Sequence, residues 1–260
     1  MYIDSHTHLY DEAFDEDRDM VIERCINNNV MKLVFPNEDA TTISALKMTT
    51  LRYPGYCVAA IGIHPLSVDQ NYERQLDVIN DELYHGAFTY KAIGEIGMDL
   101  HWSTNFAEEQ EDAFRIQLHM AIDKKLPVLI HSRKAEAKII DILSESVFAG
   151  LSGILHCWSG TVEETEAAKK LENFYFGIGG TITYKNSTIP ELTKHIGLSR
   201  IVLETDAPFL PPVPYRGKRN DSSYIPLIAK KLSEVTNTSL EEVEKVTTNN
   251  CVKVLNLDLQ

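Results

Sequence analysis

Residues 3–9 read IDSHTHL and place two imidazoles, His6 and His8, two positions apart at the end of a short β-prone run. Side chains alternate along a strand, so positions i and i+2 face one way and both rings converge on one point. Other donors close similar runs: His64 in YCVAAIGIHP (56–65), Glu95 in YKAIGEIGMD (90–99), His131 in PVLIHSR (127–133), His156 in SGILHCWSG (152–160), and Glu204 and Asp206 in RIVLETDAP (200–208). Any one of these histidines alone reads best as a hydrogen-bonded structural residue. As a set they make a metal site the better reading. Imidazole and carboxylate without thiolate suit Zn, Mn, Co or Ni, and Mg where carboxylate and water dominate. His6, His8, His131 and His156 with Glu95 and Asp206 exceed the three protein ligands of a catalytic zinc. They match two divalent cations (Zn, Mg or Mn) sharing a carboxylate, a pair that sits ~3.5–4 Å apart and activates a water. Glu95 is the expected bridge.

The elements that must position these residues repeat along the chain. Eight β-prone runs begin at YIDSHTH (2–8) and MKLVFPN (31–37), include FYFGIGG (174–180), and alternate with helical patterns. That alternation predicts parallel βα units. In 105–125, Phe114, Leu118, Ala121 and Ile122 share one helical face, with Glu108, Glu109 and Glu111 near its start. Thr238 and Glu241 read as a capping box opening a helix that carries Leu240, Val243 and Val246. Eight units predict an α/β fold, a closed (β/α)8 TIM barrel forming a single domain over residues 1–260; an open doubly wound sheet is the alternative. In a barrel the C-terminal strand ends form one rim, the face that carries active sites. Five of the nine histidines fall on it, whereas His85, His101, His119 and His195 fall in loops or helical stretches.

Composition narrows the class. An apolar fraction of 43% and a charged fraction of 24% are those of a soluble globular protein. No apolar run reaches the ~18 residues of a membrane helix, and no secretory signal is read at the start. Cys25, Cys57, Cys157 and Cys251 form no C-x-x-C pair, which favours reduced thiols and a cytoplasmic location. A net charge of −13 argues against broad electrostatic binding of a polyanion, but not against a phosphodiester substrate at a metal site.

Taken in order, IDSHTHL, GIHP, GEIGMD, VLIHSR, HCWSG and LETDAP resemble the TatD-type metal-dependent deoxyribonucleases, from Tyr2 to at least Arg219. The resemblance implies an amidohydrolase-like barrel with two divalent cations. One would be held by His6, His8, Glu95 and Asp206, the other by Glu95, His131 and His156. His64 would touch a substrate phosphate. Family members are DNA exonucleases, and some are D-aminoacyl-tRNA deacylases. Two departures fall where substrate contacts are expected: Leu100, where an aromatic residue is common, and Asp221-Ser222-Ser223 after RGKRN, where Glu-Pro is usual.

The expected activity is hydrolysis of DNA phosphodiester bonds, with single-stranded DNA or DNA ends as partner and neither a membrane nor an obligate protein partner. Asp206 would orient or deprotonate the attacking water, and Glu204 would fix ligand geometry, its rival role being a rim carboxylate paired with a local cation. Arg133 would hold a phosphate or, equally, a rim salt bridge. The RGKR run (216–219) is a basic patch for the DNA backbone or a solvated loop. A second reading is C–N or ester hydrolysis, in which related barrels bridge their metals with a carboxylated lysine. Lys91, however, lies about 13 Å below Glu95 at ~3.3 Å per residue. A third reading is a metal-binding protein without catalysis, which a complete ligand set disfavours.

Overall fold

A computed structural model describes residues 1–258. All eight expected strands form: β1 (Tyr2–Asp4), β2 (Val30–Phe35), β3 (Cys57–Ile61), β4 (Ala92–Asp99), β5 (Val128–Arg133), β6 (Gly153–Leu155), β7 (Phe174–Ile178) and β8 (Ile201–Leu203). They pair in parallel and in sequence order, β1 beside β2 through to β8. Between them run α1 (Arg18–Asn27), α2 (Ile43–Arg52), α3 (Tyr72–His85), α4 (Ala107–Lys124), α5 (Glu136–Leu143), α6 (Val162–Ala168) and α7 (Ile189–Ile196), followed by α8 (Ile225–Thr236) and α9 (Leu240–Leu255). The result is the (β/α)8 barrel. The described helices include none long and apolar enough to cross a membrane.

Two apolar layers hold it. One residue from each strand (Ile3, Val34, Ala60, Ala92, Leu129, Ile154, Tyr175 and Val202) fills the barrel interior, joined by Cys251, Val254 and Leu255 of α9. The larger core lies between strands and helices, where Phe35, Phe114, Leu118 and Phe176 are wholly buried. Strands buried on both faces read as continuous apolar runs rather than alternating ones, which is why CVAAI and VLI were legible. The α9 helix closes the end of the barrel opposite the site: Thr248 donates to the Met1 carbonyl, and the Asn250 amide donates to the Leu198 and Ile201 carbonyls, 2.8–3.0 Å away.

Three sequence expectations shift. The first strand ends at Asp4, so His6 and His8 lie beyond it. Their chain nevertheless stays pinned to its neighbours by Ser5 N–H to Leu203 O, Thr7 N–H to Val34 O and His8 N–H to Ala207 O (2.7–3.0 Å). The last helix is capped by Ser239, which accepts from Glu242 N–H, while Thr238 turns its hydroxyl to Thr236 O; the capping box sits at Thr161 and Glu164 instead. Ile122 is 39% exposed, one turn position off the buried stripe.

Asp4 ties β8 to β1 alongside the backbone bonds Ser5 N–H to Leu203 O and Asp206 N–H to His6 O. Its carboxylate is fully buried and accepts from Thr205 N–H at 2.9 Å, from the Thr205 hydroxyl and from His6 N–H at 3.3 Å. Burial pushes the Asp4 carboxyl up to about 7 against the pull of the Thr205 and Ser222 hydroxyls. Asp4→Ala leaves buried donors unpaired and is expected to cost about 1–3 kcal/mol. Asp4→Asn, which keeps an acceptor, is expected to cost less; urea unfolding of metal-free protein followed by circular dichroism checks both.

Candidate metal centre

Glu95 stands in the middle of β4 with its side chain almost wholly buried. Its backbone is fixed from β2: Glu95 N–H donates to Asn37 O, and Asn37 N–H to Gly94 O, both 3.0 Å. The two carboxylate oxygens divide the histidines. Oε2 is 3.0 Å from His6 Nε2 and 3.7 Å from His8 Nε2. Oε1 is 3.0 Å from His131 Nδ1, 3.5 Å from His64 Nε2 and 3.9 Å from His156 Nε2. Asp206 Oδ1 faces the same space, 3.6 Å from His8, 3.7 Å from His156 and 3.9 Å from His6. The His6 and His156 rings stack at 3.4 Å.

Behind these groups stand further carboxylates. His8 Nδ1 lies 3.0 Å from Glu38 Oε1, and His131 Nε2 lies 3.0 Å from Asp99 Oδ2. His156 Nδ1 lies 3.0 Å from Glu204 Oε1, a close ion-pair contact whose angle falls short of a hydrogen bond. A metal-binding histidine characteristically turns its other nitrogen to a carboxylate or carbonyl, which fixes the ring and raises its basicity. The same pattern is present here in three of the five rings. Three donor groups, His6–His8–Glu95, His6–His156–Asp206 and His64–Glu95–His131, have ligand atoms within 4.8 Å of one another. The residues fit divalent cations.

The electrostatics agree. Burial works to lower the His8 pKa, but hydrogen bonding to Asp206 and Glu38 pushes it up to about 10. Burial likewise opposes the charge on His156, yet Glu204, Glu95 and Asp206 raise it to about 9. Glu95 is held well below the usual carboxylate range, against burial, by His6, His64 and His156; His156, His8 and His6 lower Asp206 in the same way. A carboxylate-rich floor thus draws positive charge to its centre. The Cys157 thiol beside it is pushed well above its ordinary value by burial and by Glu204.

These groups floor a pocket of ≈ 760 Å³ whose walls include Leu66, Trp102, Arg133, Phe209 and the Asn186–Ile189 turn. All nine residues singled out from the sequence (His6, His8, His64, Glu95, His131, Arg133, His156, Glu204 and Asp206) meet at it or just beneath it. His64 lies both on the wall and at ligand distance from Glu95, nearer the metal cluster than a phosphate contact alone requires. Glu204 lies beneath the wall, fully buried, and accepts from Cys157 N–H at 2.6 Å. It faces His156, 3.0 Å away, rather than any lysine or arginine among the described residues. A Cβ on Gly177 would stand 2.2 Å from Glu204 Oε2; only glycine leaves room for that carboxylate. Arg133 makes no salt bridge among the described residues. The departures at Leu100 and Asp221–Ser223 do not line the pocket: Leu100 packs on the core, and Asp221 pairs with Arg24. Nor does the RGKR run, where Arg219 binds Asp17 and Arg216 lies 4.2 Å over the Tyr184 ring. Sequence reasoning missed Glu38, Asp99 and Trp102. Asp99 was within reach of it, since an even spacing of four from Glu95 puts both on one side of β4.

Two expectations follow. Zn or Mn at about 100 times its dissociation constant should raise the melting temperature of metal-stripped protein by roughly 5–10 °C, and Glu95→Ala should abolish that rise in a calorimetric scan. Gly177→Ala should displace Glu204 and weaken metal affinity about 10–100-fold by titration calorimetry, the loss typical of a disturbed outer partner.

Comparison with known proteins agrees with this geometry. The profile of the family described as TatD related DNase matches residues 3–256. An uncharacterized metal-dependent hydrolase, YabD of Bacillus subtilis, is 36% identical over 259 residues, covering 99% of this chain and 100% of its own. A protein named 3'-5' ssDNA/RNA exonuclease TatD, from Pectobacterium carotovorum, is 28% identical over 98% of this chain and 99% of its own. Among solved structures, the TatD homologue YjjV of Escherichia coli superposes with a TM-score of 0.91 at 26% identity, covering 99% of this chain and 98% of that one. By the reach of that family profile and the identity to its metal-dependent relative, the chain belongs to the family of TatD-related DNases.

Proposed function

We propose that this chain is a metal-dependent exonuclease that hydrolyses phosphodiester bonds at an end of single-stranded DNA, with two divalent cations (Zn, Mn or Mg) bridged by Glu95. The observation that carries the reading is the division of five imidazoles between the two oxygens of one buried carboxylate at the floor of an open pocket. His6, His8, Glu95 and Asp206 would hold one ion, and Glu95, His131 and His156 the other, with His64 beside it. When bound, the ions supply positive charge for the phosphoryl oxygens and lower the pKa of water towards ~7. The polarity from the 3' end is that of the relatives named exonuclease.

The remaining work falls to the chain. Asp206 has the more exposed of the two central carboxylates, 14% against 3% for Glu95. Held ionised by its histidine neighbours, it would accept the proton of the water that attacks phosphorus, while the bond from phosphorus to the departing sugar oxygen breaks and that oxygen takes up a proton from solvent. Glu204 and Asp99 keep the rings of His156 and His131 turned towards Glu95. Arg133, at the pocket mouth, takes a phosphate. All four cysteines are free thiols, which supports a reducing cytoplasm. A barrel with a carboxylated-lysine bridge is disfavoured: Lys91 precedes β4, with its amide bonded to Ala59 O, and Glu95 holds the bridging height.

End-labelled single-stranded DNA, incubated with each metal in turn, should release mononucleotides. Asp206→Asn should lower kcat by about 10²–10⁴-fold with a smaller change in KM, and Glu95→Ala should remove activity. Release of no nucleotide with any metal, alongside hydrolysis of an aminoacyl ester, would refute the nuclease.

A further inference from the structure

The chemistry at the floor makes no use of the large apolar side chains around the mouth. Trp102 is the most exposed of them, at 66%. It lies in the segment after β4 and is tied to the metal centre through one carboxylate. Asp99 Oδ1 accepts from His101 N–H at 2.9 Å and from Trp102 N–H at 3.4 Å, while Asp99 Oδ2 meets His131 Nε2. The Arg133 guanidinium lies 5.1 Å from the Trp102 ring centroid and, among the described residues, has no carboxylate or hydrogen-bond partner. A guanidinium without an acidic partner and a largely exposed indole, met edge-on by the His101 ring at 4.9 Å, thus stand side by side on the wall of a pocket with a carboxylate-rich floor. With Leu66, Phe209 and Leu210, which are also exposed and line the same pocket, Trp102 gives the mouth an apolar rim of the kind that marks a binding surface.

We propose that Trp102 and Arg133 form a nucleotide-holding subsite: the indole stacks on a nucleobase next to the scissile bond, and the guanidinium pairs with that nucleotide's phosphate. An indole offers a π-face to any base, so the subsite is sequence-tolerant. A guanidinium matches a phosphate through paired N–H donors. A base already stacked in a duplex is withheld from the indole, which gives a physical reason for single strands as substrate. The subsite rests on the nuclease reading and adds a binding residue to it.

The test separates the two. Of the two tryptophans, Trp158 is 2% exposed and bonded to Thr165, so only Trp102 is open to a ligand. Titrating metal-free protein with a short oligothymidylate should quench tryptophan fluorescence saturably. The quench should be absent in Trp102→Phe and largely lost with an oligonucleotide abasic at its 3' end. In metal-loaded enzyme, Trp102→Ala should raise KM about tenfold with kcat little changed, Trp102→Phe should restore most of it, and an abasic terminal residue should add no further loss to Trp102→Ala. Equal KM for wild type and Trp102→Ala, or a quench indifferent to the base, overturns the subsite even where DNA is cleaved. A base-dependent quench in a protein that cleaves no DNA supports the subsite and sinks the nuclease.

Discussion

An ionised carboxylate removed from water costs several kcal/mol unless positive charge comes with it. Glu95 is in that position, and the architecture of the rim follows from compensating it. Five imidazoles reach its two oxygens from the ends of β1, β3, β5 and β6. Asp206 shares the centre, drawn below its ordinary pKa by His156, His8 and His6, while Glu38, Asp99 and Glu204 stand behind His8, His131 and His156. Each layer is answered by the next, outward from one side chain. Such an arrangement prefers cations at its centre and holds its ligands in place before any ion arrives.

The barrel is what makes that convergence possible. His6 and Asp206 are 200 residues apart in the chain, yet Asp206 N–H donates to His6 O at 2.9 Å because β8 closes onto β1. Asp4 and Thr205 tie the same seam just below. Close approach matters as much as topology. A Cβ on Gly177 would stand 2.2 Å from Glu204 Oε2, so a residue with no side chain leaves room for the carboxylate that faces His156.

Most of the strand framework was legible because buried parallel strands are continuous apolar runs, and the donors stood at their ends. The fold, and the convergence of His6, His8, His131, His156 and Asp206 on Glu95, could therefore be expected without coordinates. Other features depend on three-dimensional neighbours. Glu38 is one acidic residue among many until His8 is found 3.0 Å away, and Glu204 could as well have met an arginine. The cap of α9 moved by one residue because Thr and Ser stand adjacent at 238 and 239 and either hydroxyl can cap. Leu100 and Asp221–Ser223 looked like specificity positions only because they flank motifs; packing takes them into the core and the α1 contact.

The central claim is that one buried carboxylate bridges two cations. Anomalous diffraction from crystals soaked in manganese tests it directly. The account predicts two peaks per chain about 3.5–4 Å apart, one on the His6–His8 side of Glu95 and one on the His131 side. A single peak at full occupancy, or two that do not share Glu95, would contradict it.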